Sequence, residues 1–180
     1  NWPDDRPEEL FICENHPKRP DLGSREVPLS STVFIDREDF FDTGVNGDIK
    51  PPKGYKRLTP GGTVRLKYAY VIKCDEVQRD AEGRVVELKV TYDAATRAGA
   101  SPEGSTKAKG IVPWVSAGHA VNAEALLYDR LFSKPQPGSD HEDGDFLKDM
   151  NPDSIKRFPD ALVERSLGLP GGYGNKVGDT

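Results

Sequence analysis

Val64-Arg65-Leu66-Lys67-Tyr68-Ala69-Tyr70-Val71-Ile72-Lys73-Cys74-Asp75-Glu76-Val77 alternates apolar and polar residues with a period of two. A strand places residues i and i+2 on one face. The spacing therefore predicts one strand with Val64, Leu66, Tyr68, Tyr70 and Ile72 on one side and Arg65, Lys67, Ala69, Val71 and Lys73 on the other. Asp80-Ala81-Glu82-Gly83 follows as a turn with glycine at the left-handed position, and returns the chain into a second strand over Val85–Tyr92. Working outward, Thr32–Ile35, Lys107–Val115 and Glu124–Phe132 read as further strands. Fifteen prolines and eighteen glycines divide the chain into short pieces and exclude long helices. Short helical turns are expected only at Asp36–Phe41, with Asp36 as N-cap, and at Asp145–Met150. Thr43–Gly54, a Gly- and Ser-rich Thr96–Thr106 expected to be mobile, and the acidic Ser139–Asp145 read as loops. The fold class is all-β, built of antiparallel β-barrels rather than long sandwiched sheets.

The same region carries the strongest charge signal. Ile49–Cys74 holds Lys50, Lys53, Lys56, Arg57, Arg65, Lys67 and Lys73 and no carboxylate, in a chain whose net charge is −5. About −12 is left for everything else once these seven cations are set aside. Tyr55, Tyr68 and Tyr70 lie within the block. Cations suit phosphates and aromatic faces suit unstacked bases, which together point to single-stranded nucleic acid. The competing reading is a solvated strand face.

Other patterns carry less. Cys13-Glu14-Asn15-His16 has a zinc-compatible spacing, but a closed site needs four ligands, and Cys74, His119 and His141 offer no second paired spacing. No metal is expected. Two distant thiols suit a reducing compartment, and cytoplasm is the expected location. Pro60-Gly61-Gly62-Thr63 precedes a strand, so it is a turn and not a phosphate loop. Asp36, Asp39 and Asp93 could supply an acid/base pair, but nothing in the spacing forces them together, and they read as solvated or turn-capping acids. Ser116 and His119 make no oriented triad, and no catalytic residue is expected. Trp114 reads as a core anchor, and Arg130 beside Asp129 as an ion pair or strand end. No apolar run is long enough to span a membrane. The chain starts at Asn1 without an initiator methionine, which predicts a piece of a longer protein.

The blocks Asn15-His16-Pro17, Gly23-Ser24-Arg25-Glu26-Val27-Pro28, Phe34-Ile35-Asp36-Arg37-Glu38-Asp39-Phe40, Tyr55-Lys56-Arg57-Leu58, Ala69-Tyr70-Val71-Ile72-Lys73, Lys109-Gly110, Trp114-Val115-Ser116 and Tyr128-Asp129-Arg130-Leu131-Phe132 follow in order. In this they resemble the C-terminal anticodon-binding region of glutaminyl-tRNA synthetases, from about residue 10 to about 167. The resemblance implies two small barrels over 1–167, similar in fold to a ribosomal 5S-RNA-binding protein, with 168–180 a Gly-rich disordered tail or insertion. It implies tRNA for glutamine as partner, with Lys56 and Arg57 at the third anticodon nucleotide and its phosphates, and Arg65 and Lys67 near the first. Gly54 stands where bacterial members carry a glutamine near the middle base, Lys67 replaces an arginine, and Pro113 replaces a histidine. The adenylation motifs and the closing Asn-Arg-Thr-Val block of the family are not found. The resemblance thus implies a parent ligase using ATP and Mg in another domain, and a fragment without activity of its own. A structural-RNA-binding barrel, or a protein-docking barrel of a multi-synthetase assembly, is the alternative.

Overall fold

The computed structural model describes residues 1–167; the expected tail at 168–180 lies outside them. The described residues form ten strands: β1 (Glu8–Glu14), β2 (Ser24–Ser30), β3 (Val33–Phe34), β4 (Thr63–Leu66), β5 (Val71–Arg79), β6 (Val85–Asp93), β7 (Ile111–Val112), β8 (Val115–Ser116), β9 (Val121–Tyr128) and β10 (Ile155–Val163). The helical elements are short 3-10 turns, as the density of Pro and Gly requires. Asp36 caps the one at Arg37–Asp39 by accepting the Glu38 N–H, and Asp145 caps the one at Phe146–Asp149 by accepting the Leu147 N–H. The fold is all-β. The strands hydrogen-bond as four sheets: β1-β2, β3-β8, β10-β9, and a four-stranded sheet in the order β6-β5-β4-β7. All pairings are antiparallel except β4 with β7.

Two compact units divide the chain. The first comprises Asn1–Ala120 and the chain from Glu164 onward; the second is Val121–Val163. The first unit contains the buried core: Phe11 and Cys13 of β1, Val27 and Leu29 of β2, Val64 and Leu66 of β4, Ile72 and Cys74 of β5, Val112 of β7, and Phe40, Leu58, Ala69 and Tyr70 from the connections. Every second residue of these strands faces inward, which is the period-two logic that specifies register. In the second unit β9 and β10 form a long antiparallel ribbon whose register shifts between Phe158 and Ala161. Pro159 lies at that bulge, where its missing N–H breaks no ladder. The acidic loop of this unit wraps around Asp149. Its carboxylate accepts the Gly138 N–H at 2.9 Å and has Lys134 and His141 each at 3.2 Å. The Gly138 bond first, then the contacts with Lys134 and His141, hold its pKa at about 2.

Three strand readings are corrected. Val64–Val77 is not one strand but a tight hairpin: β4 stops at Leu66, Ala69 N–H donates to Leu66 O, and Leu66 N–H donates to Tyr70 O. Tyr68 takes φ +66°, a conformation no local residue type announced. Arg65 and Lys73 nevertheless share a face, because the register pairs Arg65 with Val71 and Thr63 with Lys73. Lys107–Val115 is likewise divided. β7 joins β4, β8 joins β3, and Pro113 with Trp114 forms the break between them. Glu124–Phe132 becomes β9, beginning at Val121 and ending at Tyr128.

Candidate nucleic-acid interface

Leu58 is the anchor of the candidate site. It is fully buried, its N–H donates to Asp39 O at 2.9 Å, and its carbonyl accepts the Phe41 N–H at 2.9 Å. The chain before it comes off a turn in which Tyr55 N–H donates to Pro52 O, with Gly54 at φ +82°. That left-handed position favours glycine. Lys56 and Arg57, immediately before the anchor, are exposed.

Gly110 joins this loop to β4. A Cβ placed on it would stand 1.9 Å from Lys56 O, so only glycine permits the approach. Its carbonyl accepts the Arg65 N–H at 2.9 Å, and the neighbouring Lys109 N–H donates to Thr63 O at 3.0 Å. Further along the same edge, Lys67 N–H donates to Val112 O, and Lys67 O accepts the Trp114 indole N–H at 2.9 Å. Lys56, Arg65 and Lys67 are thereby brought beside Gly110, Ile111 and Val112–Trp114 in turn. Lys107 and Lys109 join them, because Thr63 Oγ1 donates to Lys107 O at 2.7 Å. In sequence these two lysines read as strand residues and not as anticodon contacts. Their alternation before a glycine was the available signal.

The four expected residues differ in what their side chains do. Lys56 has no carboxylate partner among the described residues. Lys67 Nζ lies 5.2 Å from the centroid of the Tyr68 ring, a cation–π contact that keeps it beside an aromatic face. Arg65 is occupied: Nη1 donates to Thr96 O at 2.6 Å and Ala69 O at 3.3 Å, and Nη2 to Ala100 O at 2.8 Å and Ser101 Oγ at 3.2 Å. It clamps the 96–101 segment, whose Thr96 is buried and donates to Asp93 O while accepting the Val71 N–H. These bonds hold the start of the loop expected to be mobile, where the chain over Ala94–Gly99 turns in 3-10 fashion with a kink at Thr96–Ala98. Arg57 is different again. Its Nε lies 2.6 Å from Asp39 Oδ1, yet none of its N–H groups makes a hydrogen bond of normal geometry to a described residue. Its charge is balanced at Nε by Asp39, and its Nη1 and Nη2 donors have no partner among the described residues.

The tyrosines also divide. Tyr70 is buried and its hydroxyl donates to Glu9 Oε2 at 2.8 Å, so it is no platform for a base. Burial, reinforced by Glu9, pushes its pKa up to about 12. Tyr55 is half-buried, donates to Glu38 O and stands edge-on to Phe41. Tyr68 is the partly exposed ring next to a lysine. The acid-free block is also less uniform in space than in sequence, since Asp39 reaches Arg57 and Asp75 reaches Lys73 at 3.1 Å.

The remaining candidates have structural partners. Cys13 is buried in the core, and His16 Nδ1 accepts the Lys18 N–H. Ser116 Oγ shares a hydrogen with Ser30 Oγ, while His119 Nε2 lies 2.6 Å from Glu8 Oε2; the two residues meet only through the backbone, where His119 N–H donates to Ser116 O, and their side chains do not engage each other. Asp93 accepts the Ala95 and Thr106 N–H groups. Arg130 is exposed and 3.9 Å from Asp129. No helix among the described residues is long and apolar enough to cross a membrane.

Residues 1–93 match a family model described as tRNA synthetases class I (E and Q), anti-codon binding domain, and residues 111–169 match a second model of the same description. The chain is 45% identical over 168 residues to a glutamine–tRNA ligase of Pseudomonas syringae, covering 93% of this chain and 28% of that protein. It is 47% identical over 167 residues to the enzyme of the same name from Cupriavidus necator, covering 93% and 27%. For the Neisseria meningitidis enzyme the figures are 48% over 159 residues, with 86% and 27% covered. The chain spans a little over a quarter of the length of these curated relatives.

Proposed function

We propose, from the premise that the chain belongs to the anticodon-binding domain family of the class I (E and Q) tRNA synthetases, that it recognises the anticodon of the tRNA for glutamine within a glutamine–tRNA ligase. In that enzyme, which joins glutamine to its tRNA at the expense of ATP, this chain supplies discrimination and not the bond-forming step. ATP and Mg serve chemistry elsewhere in the protein. The strands group into two small barrels, and the enzyme works in the cytoplasm.

One observation supports the reading most: the Lys56–Arg57 loop presents an ammonium without a carboxylate partner beside a guanidinium whose Nη donors are free, both among the described residues. A planar fork can hydrogen-bond the edge of a splayed base, whereas an ammonium is a point charge suited to phosphate. Lys56 holds the phosphate of the third anticodon nucleotide and Arg57 its base. Lys67 and Tyr68 serve the nucleotide near the first position, and Arg65 frames that region through the loop it clamps. Binding of anticodon hairpins to the full chain tests this. Arg57→Ala lowers affinity for the glutamine anticodon over a hairpin altered at the third base by about 1–3 kcal/mol. Lys56→Ala weakens both hairpins evenly and reduces the salt slope by about 0.7. Equal losses for both hairpins on Arg57→Ala would show that Arg57 reads no base.

A further inference from the structure

We propose that Asp39 is a positioning residue that sets specificity: its buried carboxylate cancels the charge of Arg57 while leaving the guanidinium donors available to a base. This rests on the reading of Arg57 given above. Asp39 is 7% exposed, whereas the Arg57 side chain is 44% exposed. The contact joins Nε to Oδ1 at 2.6 Å and leaves Nη1 and Nη2 without a partner among the described residues. Asp39 is itself held. It closes the 3-10 turn that Asp36 caps, its N–H donates to Asp36 O at 3.0 Å, and its carbonyl accepts the Leu58 N–H at 2.9 Å. Backbone and side chain of one residue thus grip both Leu58 and Arg57. Arg37, the nearest other cation on the turn, is committed to Phe40 O at 2.9 Å.

The chemistry follows from separating two properties of arginine. Its charge attracts any phosphate and carries no sequence information, whereas its N–H fork matches particular base edges. A carboxylate behind the fork suppresses the first and preserves the second. The contrast with Arg65, whose donors are spent on four oxygens, and with the unpartnered Lys56 shows three cations in one edge given three different tasks: clamp, phosphate contact and base contact.

The test compares the full chain with Asp39→Asn, Arg57→Ala and the double variant, all verified as folded by circular dichroism. Each is titrated with the glutamine anticodon hairpin and a copy altered at the third base, over a range of salt. For Asp39→Asn, binding of the altered hairpin tightens and the salt slope steepens by about 0.7 as a full positive charge is uncovered. The cognate-to-altered ratio falls about tenfold. In the Arg57→Ala background the same change leaves the ratio where it was. If Asp39→Asn keeps the wild-type ratio and slope while Arg57→Ala loses the ratio, the inference is overturned and the base-reading role of Arg57 stands. If Arg57→Ala itself keeps the ratio, that role falls first. Should Asp39→Asn not fold, Asp39→Ser is judged by the same criteria. Failure of both to fold makes Asp39 a purely structural residue and overturns the proposal.

Discussion

Replacing Gly110 with alanine probes the junction that brings the Lys56–Arg57 loop to β4. The added methyl would lie 1.9 Å from Lys56 O, 3.0 Å from its carbonyl carbon and 3.3 Å from its Cβ. No side-chain rotation relieves this, because the nearest atoms are backbone. Either the Lys56 carbonyl retreats by more than an ångström, or Gly110 does. The Lys56 loop is tethered two residues later by the Asp39–Leu58–Phe41 hydrogen bonds, and Gly110 by its bond from Arg65 and the adjacent Lys109–Thr63 bond. Overpacking costs about 1–3 kcal/mol, and each strained backbone bond adds about 1 kcal/mol, so Gly110→Ala should cost about 2–4 kcal/mol. That corresponds to a fall in melting temperature of about 4–16 °C for a chain of this size. Gly118 is the internal control: an added methyl meets nothing within 4 Å and its φ is not positive. Gly118→Ala should be neutral or stabilising by up to about 1 kcal/mol. Thermal and urea unfolding of both variants, with anticodon-hairpin binding measured well below the melt, checks the reasoning. Equal melting of Gly110→Ala and Gly118→Ala would refute the steric account of the junction.

Two further outcomes follow from the same geometry. Arg65→Met leaves the carbonyls of Thr96, Ala69 and Ala100 without their donor, should cost about 2–3 kcal/mol, and should speed amide exchange at Val71 and Ala100; lost RNA binding with unchanged melting would instead make Arg65 a direct contact. Asp42 receives Arg79 through two bonds of 2.6 and 2.7 Å, and that pairing holds its pKa at about 2 against an ordinary 3.8. Because the folded-state pKa is the lower one, the stabilisation is complete above about pH 4 and is lost as pH falls through about 2. Discounted for partial exposure it amounts to about 1–2 kcal/mol. Asp42→Asn should flatten the acid limb of the pH–stability curve over that window, and an unchanged limb would remove the pair as its source.

Much of the fold was legible because apolar residues alternate wherever one sheet face is buried. The β5–β6 hairpin was readable from Val71–Val77 and Asp80–Gly83, whose Gly83 has φ +80°. The hairpin inside Val64–Val77 was not. Its turn has no Gly, Pro or Asn, and tertiary bonds such as Lys67 to Val112 override a locally uninterrupted pattern. Strands β2 and β10 were hidden by Pro28 and Pro159, which read as breakers until a two-stranded partner and a bulge accommodate them. At the site, the composition of the cation block was plain, but its division of labour was not. Whether an arginine faces carbonyls, as Arg65 does, or a carboxylate 18 residues upstream, as Arg57 does, depends on contacts between segments. Tyr70 resembles Tyr68 in sequence, yet it is buried in the core while Tyr68 is only partly covered at its edge.

Arg25 on β2 donates to Glu164 through Nη2 at 2.8 Å, closing a contact across 139 positions of chain. Both residues belong to the first unit, and the whole of the second unit is synthesised between them. At a translation speed of about 5–20 residues per second, Arg25 therefore waits roughly 7–28 s for its partner to be made. During that interval Arg25 has only Glu14 O and Asn15 Oδ1, beside its own ribbon, to bond, and Val121–Val163 can fold before the first unit is complete.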